Sequence, residues 1–329
     1  MSRDAEETTV NARRAPLYIT RTRGSQSLAD FVVTHRRSLG SKLTAHGAIL
    51  FRGFDVHSPP DFAGFVAATG LSAMDYHYGS TPRKLVRAGI YTSTEYPPNR
   101  EIPLHSENAY SNRWPRSVAF CCIVPAAKGG ETPVADLRDV VNSLGPALMD
   151  RFEQAGVQYV RHFHDGIDLS WQATFQTTDP AEMARVCEAN GIHHDWVGDR
   201  GRVLRTMQTC QGVAWHPRTS ERLFFNQAHL FHATSVGPEA LSVMREEFGA
   251  DQLPRHSRYG DHSEIPDGDI ARIHAAFQAN ALSFSWQRGD VLWIDNMQIA
   301  HGRKPFQGER LILAALLDPS DAPLDEAPG

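Results

Sequence analysis

Hydrophobic residues along the chain recur with two different spacings, which predict alternating helices and strands. The helical spacing runs through SLADFVVTHRRSLGSKLTAHG, and a short apolar run typical of a strand, AILFRGF, follows it. Asp179, followed by Pro180 and Glu182, is a typical start signal for a helix. The helical pattern returns at SPPDFAGFVAATG, DLRDVVNSLG, PALMDRFEQAG, DPAEMARVCEANG, PEALSVMREEFG and DGDIARIHAAFQAN.

Runs typical of strands flank and interrupt these helices. They stand at LVRAGIYTST, SVAFCCIV, ETPVAD, VQYVRHFH, VLRTMQTCQGVAWHP, RLFFNQ, LSFSW, DVLWIDN and ERLILAALL. The segment from about 165 to 200 is predicted to be mainly helix and loop. Strands at both ends with helices inserted between them predict an α+β domain whose N- and C-terminal strands share one sheet. The pattern fits an open sandwich and a barrel equally well.

The two ends of the chain differ in composition from the rest. Residues 1–15 carry mixed charges and predict a disordered tail, and residues 319–329, acidic and rich in proline, predict a C-terminal tail. Residues 16–318 are predicted to form a single domain, with helical insertions or lid segments at about 140–280. The N-terminus lacks the apolar core of a signal peptide, and no apolar run approaches the ~20 residues of a membrane span. The sequence therefore predicts a soluble, cytoplasmic protein without a membrane partner.

Composition and charge narrow the class of protein further. Of 329 residues, 41% are hydrophobic and 22% are charged, which is typical of a globular domain. A balance of 33 basic against 38 acidic residues gives a net charge of -5, so no basic face for a nucleic acid is predicted. The four cysteines show no C-x-x-C spacing, and Cys121 and Cys122 are adjacent. We expect reduced, buried thiols instead of a zinc or disulfide framework.

The stretch PLHSEN offers a pair of metal ligands. Pro103 fixes a non-helical backbone, and in a strand His105 and Glu107 would project from the same face. A second histidine would complete a set of two histidines and one carboxylate, which leaves coordination positions open and suits Fe(II) with O2. Zn(II) more often has a closed tetrahedral site or keeps a single water. Of the 16 histidines, three other close sets are interpreted as structural or surface residues: His162-x-His164, His193-His194 and His229-x-x-His232.

His301 is the preferred third ligand. It follows the apolar run GDVLWIDNMQIA, and after a turn a second apolar run begins at Arg310. An arginine there suits a dicarboxylate that chelates the metal at one end and meets the guanidinium at the other. Arg303 and Lys304 are alternatives for this role, but as turn residues they are predicted to be solvated.

The ordered set of these segments resembles the taurine dioxygenase/TfdA family of Fe(II)- and 2-oxoglutarate-dependent oxygenases, and within it the branch of the syringomycin hydroxylase SyrP. The resemblance extends from about GAILFRGF to ILAALL. In that family an HxD/E element, a Thr in a GG(D/E)T turn and a distal His followed by Arg define the site. Here they stand as HSE, KGGETP with Thr132, and DNMQIAHGR followed by Arg310. The longer segments YTSTEYPPNREIPLHSENAYSNRWPRSVAFCCIVPAAKGGETPVAD, FFNQAHLFH and DNMQIAHGRKPF resemble the branch itself.

The resemblance implies a fold and a set of ligands. The fold would be a double-stranded β-helix, or jelly roll, with helical insertions. His105, Glu107 and His301 would bind Fe(II), and Arg310, helped by the Thr132 hydroxyl, would bind the C5 carboxylate of the co-substrate 2-oxoglutarate. O2 would be the second co-substrate.

Two positions bear on the type of reaction. Glu107 stands where many members of the family have Asp. Iron halogenases that broadly resemble this family have a small residue in place of the carboxylate. The presence of Glu107 therefore implies oxygen insertion instead of halogenation. Ala314 stands where taurine dioxygenase has an arginine for the sulfonate, so taurine is a poor substrate candidate.

The branch implies hydroxylation of an amino-acid or amino-acid-derived small molecule, free or bound to a carrier protein, in specialised metabolism such as antibiotic biosynthesis. Succinate and CO2 would be released, and a homo-oligomer is compatible with the sequence. Each candidate substrate contact has a structural alternative: a capping residue, a core histidine, or for Arg205 an ion pair with Asp199 or another acid. The candidates are Glu95, Arg205, Asn226 and His229, with Gln208 and Gln227 beside them.

Other interpretations stay open. The same iron chemistry could give desaturation, epoxidation or cyclisation. A zinc hydrolase could use His105, Glu107 and His301, although it would have no use for Arg310 and Thr132. A non-catalytic binding or regulatory protein could share the fold, because fold does not fix function.

Overall fold

The computed structural model describes residues 5–9, 16–24, 26–74, 84–87, 89–93, 96–198 and 201–320. The helices are α1 (Leu28–His46), α2 (Pro59–Thr69), α3 (Leu137–Leu144), α4 (Pro146–Ala155), α5 (Trp171–Phe175), α6 (Pro180–Ala189), α7 (Ala228–Phe231), α8 (Pro238–Phe248) and α9 (Asp267–Ala279). Short 3-10 helices lie at Ala233–Val236 and Ala250–Gln252.

The strands follow in chain order. They are β1 (Ala5–Thr9), β2 (Leu17–Arg21), β3 (Ala48–Arg52), β4 (Leu85–Arg87), β5 (Ile90–Thr92), β6 (Ile102–His105), β7 (Pro115–Val124), β8 (Lys128–Gly129), β9 (Val134–Asp136), β10 (Val157–Phe163), β11 (His193–Val197), β12 (Val203–Cys210), β13 (Ala214–Trp215), β14 (Arg222–Leu223), β15 (Arg255–Tyr259), β16 (Ala281–Leu282), β17 (Val291–Asp295), β18 (Ile299–Arg303), β19 (Phe306–Gln307) and β20 (Leu311–Pro319).

Two sheets pack face to face as a jelly roll. The larger has the order β1-β2-β3-β17-β7-β20-β5-β4, and the smaller has the order β16-β9-β18-β6. Between them lies a buried apolar cluster to which both sheets contribute, with Phe120 and Leu292 from the larger and Val134 and Ile299 from the smaller. The predicted α+β jelly roll is confirmed, and strands from both ends of the chain share the larger sheet.

Helices α1 and α2 cover the outer face of the larger sheet. Each begins at a serine whose side chain accepts a backbone N–H and ends at a glycine of positive φ, so both helices have defined ends. Phe65 of α2 packs edge-on against Trp293 of β17, with ring centroids 5.9 Å apart. Strand β7 is buried on both faces, since Phe120 faces the interior and Cys121 faces the helices. Double burial explains why this strand has a continuous apolar run in place of an alternating pattern.

A helical insertion covers the smaller sheet. It contains a further sheet of order β11-β12-β10-β15 and helices α3 to α9. Phe152, Phe224 and Tyr259 from the insertion share one apolar cluster with Leu104, within the PLHSEN stretch, and Ala109, directly after it. The insertion therefore packs directly against the segment that carries the candidate metal ligands.

The predicted tails need two corrections. Residues 5–9 form strand β1, which pairs antiparallel with β2, so this part of the predicted disordered tail is ordered by sheet pairing. At the other end, β20 extends to Pro319, and the backbone N–H of Ser320 donates to the carbonyl of Trp114 at 2.8 Å. The remaining tail residues, 1–4, 10–15 and 321–329, lie outside the described residues.

Three predictions of secondary structure also differ from the structure. Only Leu282 of LSFSW lies in a strand, because Phe284 and Trp286 instead project into the interior of the jelly roll from irregular backbone. RLFFNQ contributes only β14, and the rest of this run is buried loop. The segment predicted to be helix and loop includes β11, whose half-exposed polar residues gave no strand signal.

The prediction that the cysteine thiols are buried is confirmed. All four thiols are buried and free of disulfides, and burial raises the pKa of the Cys122 thiol to about 12. Within the described ranges, no helix has both the length and the apolar character needed to cross a membrane.

The contact between α2 and the larger sheet yields a stability prediction. Phe65→Ala removes a fully buried ring, and we expect the free energy of unfolding to fall by about 3–5 kcal/mol in chemical denaturation. Val33→Ala, at a residue of α1 that is 57% exposed, is the control and should change this free energy by less than about 0.5 kcal/mol. Equal losses in the two variants would contradict this packing.

Candidate metal centre

The two candidate histidine ligands face each other across one strand pair. Strands β6 and β18 pair antiparallel with His105 opposite His301, and the ring centroids lie 4.7 Å apart. Gly302 permits this close approach, since a Cβ there would lie 2.6 Å from the carbonyl oxygen of Ile102. His301 was predicted just past the end of a strand, but it lies inside β18, and its ring lies 4.9 Å from that of Phe120.

Glu107 reaches the same place by a different route from the one expected. Strand β6 ends at His105, and Glu107 lies in the turn that follows, so strand alternation does not direct its side chain. It is 5% exposed, and its Oε2 lies 3.8 Å from Nε2 of His301. One candidate ligand atom from each of the three residues lies within 4.8 Å of the other two. The structure thus brings the triad together, and its metal-binding role stays a prediction.

A hydrogen bond sets the tautomer of His105. Its Nδ1 lies 2.8 Å from the carbonyl oxygen of Pro103. A carbonyl only accepts, so Nδ1 carries the proton and Nε2 is the ring nitrogen whose lone pair would bind a metal. Two imidazoles that line a small cavity, with one carboxylate beside His301, form the donor set that suits Fe(II) with open positions.

The candidate anion-binding residues line the same cavity. This cavity, of about 40 Å³, is bounded by His105, His301, Thr132 and Arg310, with Phe120 as an apolar wall. Burial, reinforced by the neighbouring cation Arg303, lowers the pKa of Arg310 to about 10, so the guanidinium is still charged at neutral pH.

Arg310 and Thr132 each retain hydrogen-bonding capacity for a ligand. Arg310 Nε donates to the carbonyl of Gly130 at 3.1 Å, and no carboxylate among the described residues forms an ion pair with it. The Thr132 hydroxyl accepts the indole N–H of Trp286 at 3.0 Å, which leaves its own proton to donate. The cavity therefore has a half-buried cation and a hydroxyl donor beside the triad.

Arg303 does not match its predicted solvated position, whereas Lys304 follows the end of β18 and is partly exposed. Arg303 is 6% exposed, in β18, and donates to the backbone carbonyls of Tyr96, Pro97 and Arg100. Lys304 forms an ion pair with Glu101 at 2.7 Å. Both side chains hold the segment before β6 against β18. The turn predicted at this point begins only after Arg303, where β18 ends.

The candidate substrate contacts are scattered. Glu95 lies outside the described residues. Arg205 forms an ion pair with Asp195, the "other acid" of its structural alternative, and lines a second cavity of about 770 Å³ that shares no lining residue with the smaller one. Asn226 is 2% exposed and bonds the backbone of Gly212 and Ala228. Gln208 donates to the carbonyl of Asn190, in the insertion.

Several buried side chains bond the backbone of the ligand-bearing segment. His229 Nε2 bonds the carbonyl of Leu104 at 2.9 Å, and Gln227 Nε2 donates to that of Ser106 at 2.7 Å. Gln211 donates to the carbonyl of Ala109 at 2.9 Å. The amides of Asn296 and Gln211 and the indole of Trp286 were missed in the sequence, because only their position in the fold distinguishes them from other buried polar residues.

A second cluster has the residue composition of a metal site, but hydrogen bonds already use several of its candidate ligand atoms. His232, His256 and Glu264 also have candidate ligand atoms within 4.8 Å of one another. The backbone N–H of Ala233 donates to Nδ1 of His256, so the proton of that ring sits on Nε2, 2.8 Å from the Glu264 carboxylate. Nδ1 of His232 bonds Thr234. This cluster is a hydrogen-bonded network.

The chain is similar to known proteins over most of its length. The family model "Taurine catabolism dioxygenase TauD, TfdA family" matches residues 19–316. The dapdiamide synthesis protein DdaC of Enterobacter agglomerans is 39% identical over 310 residues, which cover 94% of this chain and 93% of that protein. A clavaminate synthase-like protein of Arabidopsis thaliana is 30% identical over 295 residues, covering 87% and 86%.

Solved structures with low sequence identity share the fold. PvcB of Pseudomonas aeruginosa aligns with a TM-score of 0.56 at 13% identity, over 96% of this chain and 92% of that one. AAD-2, solved in complex with Mn(II) and N-oxalylglycine, aligns with a TM-score of 0.58 at 11% identity, over 97% and 99%.

The buried His229 predicts a pH dependence of stability. Burial and, to a lesser extent, the neighbouring His274 lower the pKa of His229 from 6.5 to about 3. Between these values the unfolded chain binds a proton that the folded chain excludes, so the free energy of unfolding should fall as the pH drops from about 6.5 towards 3. In His229→Gln this slope should be shallower by up to about 1.4 kcal/mol per pH unit, measured by denaturation at several pH values.

Phe277→Leu is the matched control for this measurement. Phe277 stacks on His229 with ring centroids 4.6 Å apart but does not titrate, so the variant should lose stability equally at every pH. An unchanged slope in His229→Gln would show that another group governs the acid response.

Proposed function

The chain belongs to the taurine catabolism dioxygenase TauD, TfdA family, and we propose that it is an Fe(II)- and 2-oxoglutarate-dependent dioxygenase that hydroxylates an amino-acid or amino-acid-derived small molecule. The observation that carries the proposal is the single cavity that holds His105, His301, Thr132 and Arg310, with Glu107 beside His301. A candidate metal triad next to a half-buried cation that pairs with no carboxylate of the described residues suits a ligand that is both a chelator and an anion.

The residues present fit this co-substrate. His105, Glu107 and His301 would hold Fe(II), and Arg310 with the Thr132 hydroxyl would hold the C5 carboxylate of 2-oxoglutarate. When bound, iron and 2-oxoglutarate supply an oxidant that inserts one atom of O2 into a C–H bond, while the other atom leaves in succinate, together with CO2. Trp286 would keep Thr132 oriented for donation, and Phe120 would exclude water from the metal side.

The type of substrate is supported by the relatives. DdaC is named for the synthesis of dapdiamide, which favours a small molecule of a biosynthetic pathway here. Glu107 would take the coordination position that a halide would need, which favours hydroxylation. Two arms of the turnover experiment, one with free amino acids and one with carrier-protein thioesters, distinguish a free substrate from a carrier-bound one.

Loss of the anion-binding cation gives the first test. Anaerobic addition of Fe(II) and 2-oxoglutarate to the protein should produce a weak visible charge-transfer band, and Arg310→Leu should abolish it at matched concentrations, because the C5 carboxylate loses its charged partner. Arg288→Leu, at an exposed arginine, is the control and should keep the band. No band in the unaltered protein, together with Zn(II)-dependent hydrolysis, would favour a zinc hydrolase instead.

Turnover gives the second test. Amino acids, offered free and as carrier-protein thioesters, should include one that triggers succinate release, and its product should gain one oxygen by mass analysis. His301→Ala should release none, because it removes a metal ligand. A product that has lost two hydrogens would point to desaturation or cyclisation, and no substrate-dependent succinate from any candidate would favour a binding protein.

A further inference from the structure

Asn296 makes three buried hydrogen bonds at the base of the candidate metal centre. Its side chain is fully buried, and Oδ1 accepts the backbone N–H of Glu107 at 2.7 Å. Nδ2 donates to the carbonyl of Glu107 at 2.9 Å and to that of Pro115 at 2.7 Å. One amide group thus satisfies both backbone polar groups of the predicted carboxylate ligand.

Glu107 lies outside the strands that the structure describes. It follows the end of β6, and the next residue, Asn108, has a φ of 55°, in the left-handed region. A backbone N–H and C=O in such a turn would be buried without partners unless a side chain supplied them, at a cost of about 1–3 kcal/mol for each group. Asn296 takes the part that a neighbouring strand would otherwise take, and so fixes the backbone from which the carboxylate projects.

Asn296 is itself held by the turn that follows β17. The Asp295 carboxylate accepts the backbone N–H groups of Met297 and Gln298, at 3.0 and 3.3 Å. Nε2 of the buried His216 bonds the other oxygen of Asp295 at 3.0 Å. The turn therefore has a defined shape before any ligand binds.

We infer that Asn296 is a positioning residue that sets the reach of Glu107 towards the metal, an inference that rests on the proposed function. The neighbouring amides bond other parts of the segment: Gln227 bonds Ser106 and Gln211 bonds Ala109. Only Asn296 among these contacts Glu107 itself. Without it, the Glu107 carboxylate would sample several positions and lose affinity for the metal, while His105 and His301 would remain paired across β6 and β18.

Mn(II) binding without co-substrate tests this inference directly. Mn(II) affinity is measured by electron paramagnetic resonance titration for the unaltered protein, Asn296→Ala, Glu107→Ala and the double variant. Asn296→Ala should weaken binding about 10- to 100-fold, as expected for loss of a residue that orients a ligand. In the Glu107→Ala background the same change should alter affinity by less than about 2-fold, because the two residues act as one unit.

Gln158→Ala is the matched control. Gln158 is a buried amide, 6% exposed, on β10 in the insertion, and its loss should leave Mn(II) affinity unchanged. Thermal melting identifies the variants that fold. If Asn296→Ala does not fold, it is replaced by Asn296→Ser, which keeps one hydrogen-bonding group.

The outcomes separate the inference from the proposed function. Equal weakening with and without Glu107, or failure of both Asn296 variants to fold, would assign Asn296 a general structural role and overturn the inference. An unaltered protein whose Mn(II) binding does not depend on His301 and Glu107 would overturn the proposed function. Binding that depends on both ligands but not on Asn296 would overturn the inference alone.

Discussion

The close pairing of β6 with β18 is the contact on which the rest of the site depends. It sets His105 opposite His301, and the glycine at 302 lets the two backbones approach where any side chain would meet the Ile102 carbonyl. The smaller sheet therefore acts as a rigid platform for two imidazoles, with the larger sheet behind them through Phe120. The third ligand and the anion-binding residues are added around this pair.

The additions come from loops whose backbones are held by buried polar side chains. Asn296 bonds Glu107, Gln227 bonds Ser106 and Arg303 bonds the carbonyls before β6. Such groups cost free energy when buried alone, so each is tolerated only because its partner is buried with it. The result is a preorganised site on irregular backbone, with Arg310 left as a half-buried cation beside the triad.

The sequence was sufficient for the fold class, the order of most elements and the identity of the residues that meet in the site. Capped helices such as α1 and doubly buried strands such as β7 have strong local signals. The signal failed where tertiary contacts decide. β1 and β11 are strands through pairing alone, Phe284 and Trp286 pack without being in a strand, and Arg303 is buried because three carbonyls surround it. The prediction that Glu107 projects from a strand was also wrong, since the spacing in HSE does not indicate that the strand ends at His105.

The central claim is that one cavity of this jelly roll holds a metal and a dicarboxylate together. The most direct measurement is a crystal structure of the protein grown anaerobically with Mn(II) and 2-oxoglutarate, with the metal located by its anomalous signal. The account predicts one anomalous peak within coordination distance of His105, Glu107 and His301, and a carboxylate of 2-oxoglutarate on Arg310 and Thr132. A peak at His232, His256 and Glu264 instead, or a dicarboxylate that does not contact Arg310, would contradict it.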